Sequence, residues 1–379
     1  MTSRERLMMV LNHKEADKVP HSIGSAGSHI NLKLYAKLLD YFGIKGESIT
    51  GTDTISQVAR SSETFLQKLQ CDVRIPSQVL KYEKPSEYWE DHESMYLKDN
   101  WGTVYRMPKI SGHYFDLYKV PMEGRLDNEN DVPYQFPALP VLAPNAAEQA
   151  GKIQEAGFPV VIPTPYGNGF LQTGPKVYGY EDWMMMLAMD DRRSSVFMET
   201  LLEMKIKIWD QIIETLGGLL DIAYEQDDLG TQEGPFVSPE MMRKKLKPYY
   251  KKLFDHIHSK SKAKVYFHSC GSVVKLIPDL IEAGVDILNP VQISAAGMDP
   301  AYLKKEFGKD LVFWGGGIDT QKILPYGTKQ QIQDQVKRNI EIFGKDGGFV
   351  FCTVHNVQGD VPVENFITMW ETLMEAGNY

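Results

Sequence analysis

From about residue 219 the chain repeats one unit: a short apolar run bounded by turn residues, then a helix-length stretch with apolar residues at a period near 3.6. Runs at 219–224, 264–268, 285–288, 311–314 and 348–351 each precede a helical stretch, at 238–258, 272–283, 299–307, 328–343 and 363–376. Ser238-Pro239-Glu240 supplies an N-cap and a proline at the first helical position of the first helix. The connections are short, as parallel βα units require. Three earlier runs, at 19–23, 72–75 and 159–163, raise the count to eight. Eight strands with intervening helices predict a (β/α)8 TIM barrel of α/β class. Residues 88–121 break the rhythm, and alternation in 103–107 and 114–118 predicts an antiparallel hairpin insertion. The expected organisation is therefore a single barrel domain over 1–379 with one decoration.

Charge and composition remove several function classes. A net charge of −9 without a basic run lacks the cationic footprint of a nucleic-acid binder. No stretch of eighteen apolar residues exists, and charges run through the segment after Met1-Thr-Ser-Arg-Glu-Arg6. The expectation is a cytoplasmic protein, neither secreted nor membrane-spanning. Three cysteines in 379 residues make no disulfide framework, so thiolates stay available for a metal.

Active sites of such barrels are built at the C-terminal ends of the strands. His268 and Cys270 end the fifth expected strand and Cys352 the eighth, so a gap of 81 residues in sequence becomes a coordination distance at one rim. Two thiolates and an imidazole match a catalytic zinc, which keeps a fourth position open; a structural zinc wants a fourth protein ligand. The competing reading is ordinary core thiols beside a strand-end histidine. In Glu225-Gln-Asp-Asp-Leu-Gly230, Asp228 is the candidate catalytic acid, with Asp227 beside it and helix capping as the alternative. His355 and Gln358 follow Cys352 and could contact substrate or cofactor, or cap the last helix. Gly315, Gly316 and Gly317 could present N–H groups to an anion, admit a bulky cofactor, or merely turn the chain. The aromatics Trp101, Tyr105, Tyr114 and Phe115 of the insertion could roof an aromatic substrate or pack down, whereas Trp183 to Leu187 reads as core.

Tyr266-Phe-His-Ser-Cys-Gly-Ser272, Asp286-Ile-Leu-Asn-Pro290 and Phe313-Trp-Gly-Gly-Gly-Ile-Asp319 resemble the uroporphyrinogen decarboxylase superfamily, as does Arg4-Glu-Arg-Leu with Asn12 through Pro20. The resemblance spans essentially the whole chain and implies a (β/α)8 barrel. Within it, His-x-Cys…Cys is similar to the zinc-dependent methyltransferase branch that works with corrinoid proteins, such as the methylcobalamin:coenzyme M enzymes. It implies Zn2+ on His268, Cys270 and Cys352, and a cobalamin-type corrinoid carried by a partner protein. The substrate would be a small methyl donor or acceptor, with a methoxylated aromatic (O-demethylation) slightly favoured by the insertion; a homodimer is compatible. The decarboxylase signature is damaged: no arginine lies between Arg6 and Arg60, and Ser77 is followed by Gln78, Val79 and Leu80. A metal-independent decarboxylase and a non-catalytic corrinoid-docking module remain as alternatives.

Overall fold

The apolar runs of the repeat become neighbouring parallel strands in the structure, a computed structural model that describes residues 1–76, 79–82, 86–124 and 133–379. Six strands form one curled sheet: β1 (Val161–Ile162), β2 (Ile222–Gln226), β3 (Lys264–His268), β4 (Ile287–Asn289), β5 (Val312–Trp314) and β6 (Phe349–Val350). Their spatial order is β6-β5-β4-β3-β2-β1, every neighbour pair parallel. Alternation divides the sheet's side chains between two packing layers. Val161, Ile222, Tyr266, Ile287, Val312, Trp314, Val350 and Cys352 form one cluster. Ile162, Ala223, Phe267, Leu288, Phe313 and Phe349 belong to the larger core shared with the helices. Burial on both faces is why these strands read as continuous apolar runs rather than as alternating ones.

Beyond the sheet's two edges, single parallel bridges join His21 to Phe351 and Arg74 to Val160. The amide of Asp72 donates to the carbonyl of His21 at 3.0 Å. The runs expected as strands at 19–23 and 72–75 thus carry isolated bridges instead of regular ladders. Asp72 takes three further donors: the His21 amide, the Ser3 hydroxyl and the buried Arg6 guanidinium. Side-chain bonds there do what a backbone ladder does elsewhere.

Helices α1 (Phe170–Tyr178), α2 (Arg192–Leu216), α3 (Lys247–Lys260), α4 (Lys329–Gly344) and α5 (Val363–Ala376) lie along the repeat. The helix expected at 238–258 is three pieces, Pro239–Met241, a π-helical turn Met242–Leu246, and α3. Ser238 caps it as expected, accepting from the Met241 amide at 3.1 Å. Among the described residues no helix is long and apolar enough to cross a membrane.

The region expected as a hairpin is a four-stranded antiparallel meander: Glu87–Glu90, Ser94–Lys98, Val104–Pro108 and Asp116–Lys119. Leu97, Tyr105, Met107 and Phe115 form its own small core. Its first strand is exposed at all four residues, so it shows no half-buried alternation to read.

Glu225, grouped with the loop acids in sequence, lies within β2 and turns toward α2. It accepts from Lys205 Nζ at 2.6 Å and from Trp209 Nε1 at 2.7 Å, with the ion pair wholly buried. Removing one partner of such a pair leaves an uncompensated charge in the core. Lys205→Met should therefore cost about 3–5 kcal/mol in chemical denaturation, and adding Glu225→Gln, which keeps an acceptor for Trp209, should restore most of it.

Candidate metal centre

Parallel register sets three polar side chains abreast at the C-terminal ends of the strands: Gln226 pairs with His268, and His268 with Asn289. Asn289 is buried and its amide is fully used. Its Nδ2 donates to the Trp314 carbonyl at 2.7 Å, which fixes the flip, and its Oδ1 faces His268 Nδ1 at 2.5 Å. A carboxamide oxygen only accepts, so Nδ1 carries the proton and the Nε2 lone pair is free. Cys270 Sγ lies 3.4 Å from that Nε2.

The third member of the group is His355. One ligand atom each from His268, Cys270 and His355 lie within 4.8 Å of one another, and the two imidazole rings are 6.2 Å apart at 62°. Cys352, the expected third ligand, does not belong to this group. Period-two alternation continues past β6 and carries its side chain into the inner packing layer with Tyr266 and Trp314. Its Sγ sits 3.6 Å from Asn289 Nδ2 and 3.7 Å from the Gly27 carbonyl, and it has no solvent exposure. His355, two residues past Thr353 in the loop after β6, is the one that reaches the rim.

Electrostatics at the centre favour a cation. Burial, and then the charge of Asp228, push the Cys270 thiol well above its ordinary value. Asp228 Oδ1 accepts from the Cys270 amide at 2.8 Å and lies 3.8 Å from His268 Nε2; its Oδ2 accepts from Gln172 Nε2 at 2.7 Å. Burial holds His355 down to about 4, so its imidazole is neutral near pH 7 and offers a lone pair. A thiol, the His268 and His355 imidazoles and a nearby carboxylate form a donor set that suits zinc, with one coordination position left open. The bond between Asn289 and Nδ1 is the kind of outer contact that orients a metal-binding imidazole.

Asp227 has another job. It is buried, accepts from the Leu171 and Gln172 amides at the start of α1 and from the Tyr250 hydroxyl, and burial raises it to about 7. It anchors a helix rather than facing the centre. The glycine triplet after β5 is likewise committed: the amides of Gly315, Gly316 and Gly317 donate to Val350, Pro290 and Cys352 carbonyls at 3.1, 2.9 and 2.9 Å. None is free for an anion. A Cβ at Gly315 would fall onto the Pro290 carbonyl, so the triplet serves close packing of neighbouring strand ends.

A cavity of about 350 Å³ opens beside the centre, with Cys270 and His355 in its wall. Gln232, Gln292, Gln321, Asn356 and Gln358 supply amide groups, and Tyr114 reaches in from the antiparallel meander. Gln358 thus stands in this wall, which among the described residues contains no Lys, Arg, Asp or Glu. Of the other insertion aromatics, Trp101, Tyr105 and Phe115 are buried packing residues. Tyr114 was among the aromatics named from sequence; Asn289, Gln172 and Tyr266 were given no role there, and the buried Tyr266 hydroxyl has no partner among the described residues. Asn289 was findable, as an inward position at a strand's C-terminal end; Gln172 carried no local signal. The positions Ser77 and Gln78 lie outside the described residues.

The family described as "Uroporphyrinogen decarboxylase (URO-D)" matches residues 167–376. Among solved structures, the "methyltransferase from Methanosarcina mazei" is similar in fold at TM-score 0.64 and 16% identity, covering 99% of this chain and 99% of its own. A GH10 endoxylanase from a sugarcane soil metagenome overlaps at TM-score 0.38 and 8% identity, over 62% of this chain and 82% of that one. No curated protein matches.

Two neutral histidines at this rim give a stability test. His29 and His355 are each held near 4 by burial, against 6.5 when unfolded, so between those values the unfolded chain binds more protons than the native one. Their contribution is complete above about 6.5 and is lost as pH falls through about 4. Thermal unfolding midpoints of the metal-free protein should therefore fall across this window, and His355→Gln should flatten part of the slope.

Proposed function

Since the chain belongs to the uroporphyrinogen decarboxylase family, we propose that it is a zinc-dependent methyltransferase with a separate corrinoid partner. In this reading His268, Cys270 and His355 hold the metal, and a methyl group moves between a small substrate and the cobalt of the corrinoid protein. The single observation that carries the proposal is the convergence of those three donors at the rim, with the His268 tautomer set by Asn289. A fold shared with a protein described as a methyltransferase supports the reaction class. We also read the curled sheet and its edge bridges as a closed (β/α)8 barrel in one domain over 1–379, the meander being its insertion. The compartment proposed is the reducing cytoplasm, where three free cysteines stay reduced.

Bound zinc would supply Lewis acidity to the heteroatom that gives or receives the methyl group. The chain's own groups do the rest. Asn289 fixes the His268 ring, and Asp228 positions Cys270 through the backbone amide. Tyr114 and the amide-rich wall offer hydrogen bonds to an uncharged ligand surface. Among the described residues that wall has no cationic side chain to receive a polycarboxylate, which weighs against porphyrinogen decarboxylation.

Zinc per chain after anaerobic purification tests the ligand set. About one zinc should be found in the natural protein and in Cys352→Ser, and little in His268→Ala or His355→Ala. Retention by His355→Ala with loss in Cys352→Ser would return the third ligand to Cys352. Asn289→Ala should keep the fold but weaken zinc roughly 10- to 100-fold against a competing chelator. Methylation of free cob(I)alamin from candidate donors, followed by its absorbance change, would then test the reaction itself.

A further inference from the structure

Next to the metal centre, at the ends of β1 and β2, lies a cation that the proposed chemistry leaves unused. Lys176 projects from α1, and its Nζ donates to Asn168 Oδ1 at 3.2 Å. Gln226 Nε2 donates to the same oxygen at 3.1 Å, and Asn168 Nδ2 donates to Gln172 Oε1 at 3.1 Å. No ion pair is made by Lys176 among the described residues; its hydrogen-bond partner is a neutral amide. Burial lowers its pKa. The carboxylates of Asp99 and Asp53 act on it only from a distance, and Asp99 is already engaged by the Trp101 and Thr103 amides and the Tyr105 hydroxyl. A desolvated ammonium without a counter-ion is costly to keep unless something else completes it.

The position connects directly to the centre. Gln226 stands beside His268 in the β2–β3 register, and Gln172 joins Asn168 to Asp228, whose other oxygen holds the Cys270 amide. Lys176, Asn168, Gln172, Gln226 and Asp228 all keep partial exposure. The two flanks of the centre therefore differ: among the described residues the amide-lined wall carries no acidic or cationic side chain, whereas this flank holds the Lys176 ammonium and, beyond Gln172, the Asp228 carboxylate.

We propose that Lys176, with Gln226 and Asn168, forms an anion subsite that takes the carboxylate of the small methyl-bearing substrate. The proposal rests on the zinc methyltransferase reading and specifies its substrate class: a monocarboxylate carrying the methyl group on a heteroatom that reaches His268 and Cys270. Binding exchanges the neutral Asn168 oxygen on Nζ for a charged one, and Gln226 Nε2 becomes a second donor to it. A charge-assisted bond replaces a weaker one.

Zinc-loaded protein is titrated calorimetrically with two matched pairs, methoxyacetate against methoxyacetamide and 4-methoxybenzoate against 4-methoxybenzamide, with zinc content measured in every sample. At least one acid should bind roughly 10- to 100-fold more tightly than its amide, the range of one charge-assisted hydrogen bond. Lys176→Met should abolish that preference at unchanged zinc content. Asn168→Asp, which places a carboxylate permanently beside Nζ, should abolish it independently and guards against a folding defect in the first variant. Equal binding of acids and amides by the natural protein, or a preference surviving in both variants, overturns the subsite. If zinc is present and the preference absent, the subsite alone fails. If the acid preference is found without zinc, the metal reading fails and the subsite stands.

Discussion

One carboxamide sets the geometry on which the centre depends. Asn289 is buried at the end of β4, and each half of its amide is committed: oxygen to His268 Nδ1, nitrogen to the Trp314 carbonyl, with Cys352 Sγ just beyond. Because the Trp314 bond fixes which half faces His268, the proton on that ring has only one place to be. A lone pair aimed at the rim follows from backbone register rather than from any acid or base. Gly27 completes the arrangement by absence of a side chain, since a Cβ there would collide with the Tyr266 hydroxyl and the Asn289 amide.

Around this fixed point the charges are sorted by depth. Glu225 faces outward and is neutralised by Lys205 within the sheet-to-helix layer. Asp227 is consumed by the first amides of α1. Asp228 alone faces the centre, next to a thiol whose proton is held by burial and by that very carboxylate. Three acids within four residues thus have three unrelated environments, which is the ordinary result of period-two alternation passing into a loop. Local negative potential near Cys270 then favours a divalent cation over a bare thiolate.

The parts of this arrangement that were legible in sequence are those governed by short-range periodicity. The apolar runs of the repeat, buried on both faces, stand out without ambiguity, and 264–268 matches β3 to the residue. His268 and Cys270 follow because a strand end fixes their height on the rim. Cys352 continues the inward alternation from Val350 as His268 does from Tyr266, but its thiol lies beside Asn289 and outside the group of His268, Cys270 and His355. His355 depends on the path of a loop, and loops obey no period. The meander's first strand escaped because exposure at every position erases the alternating signal. At 19–23 and 72–75 the apolar pattern was real, but side-chain bonds to Asp72 take the place of regular ladders there.

Tyr114 stands just before the last strand of the meander, which has a small core of its own, whereas the three metal-binding candidates come from the long-range parallel sheet and its loops. One side chain of the wall, Tyr114, is thus encoded apart from the groups that act on a ligand, while the amide-bearing remainder comes from the same strand-end loops as they do. A change in the insertion can therefore reshape the mouth of the cavity at Tyr114 while the three metal-binding candidates keep their own supports.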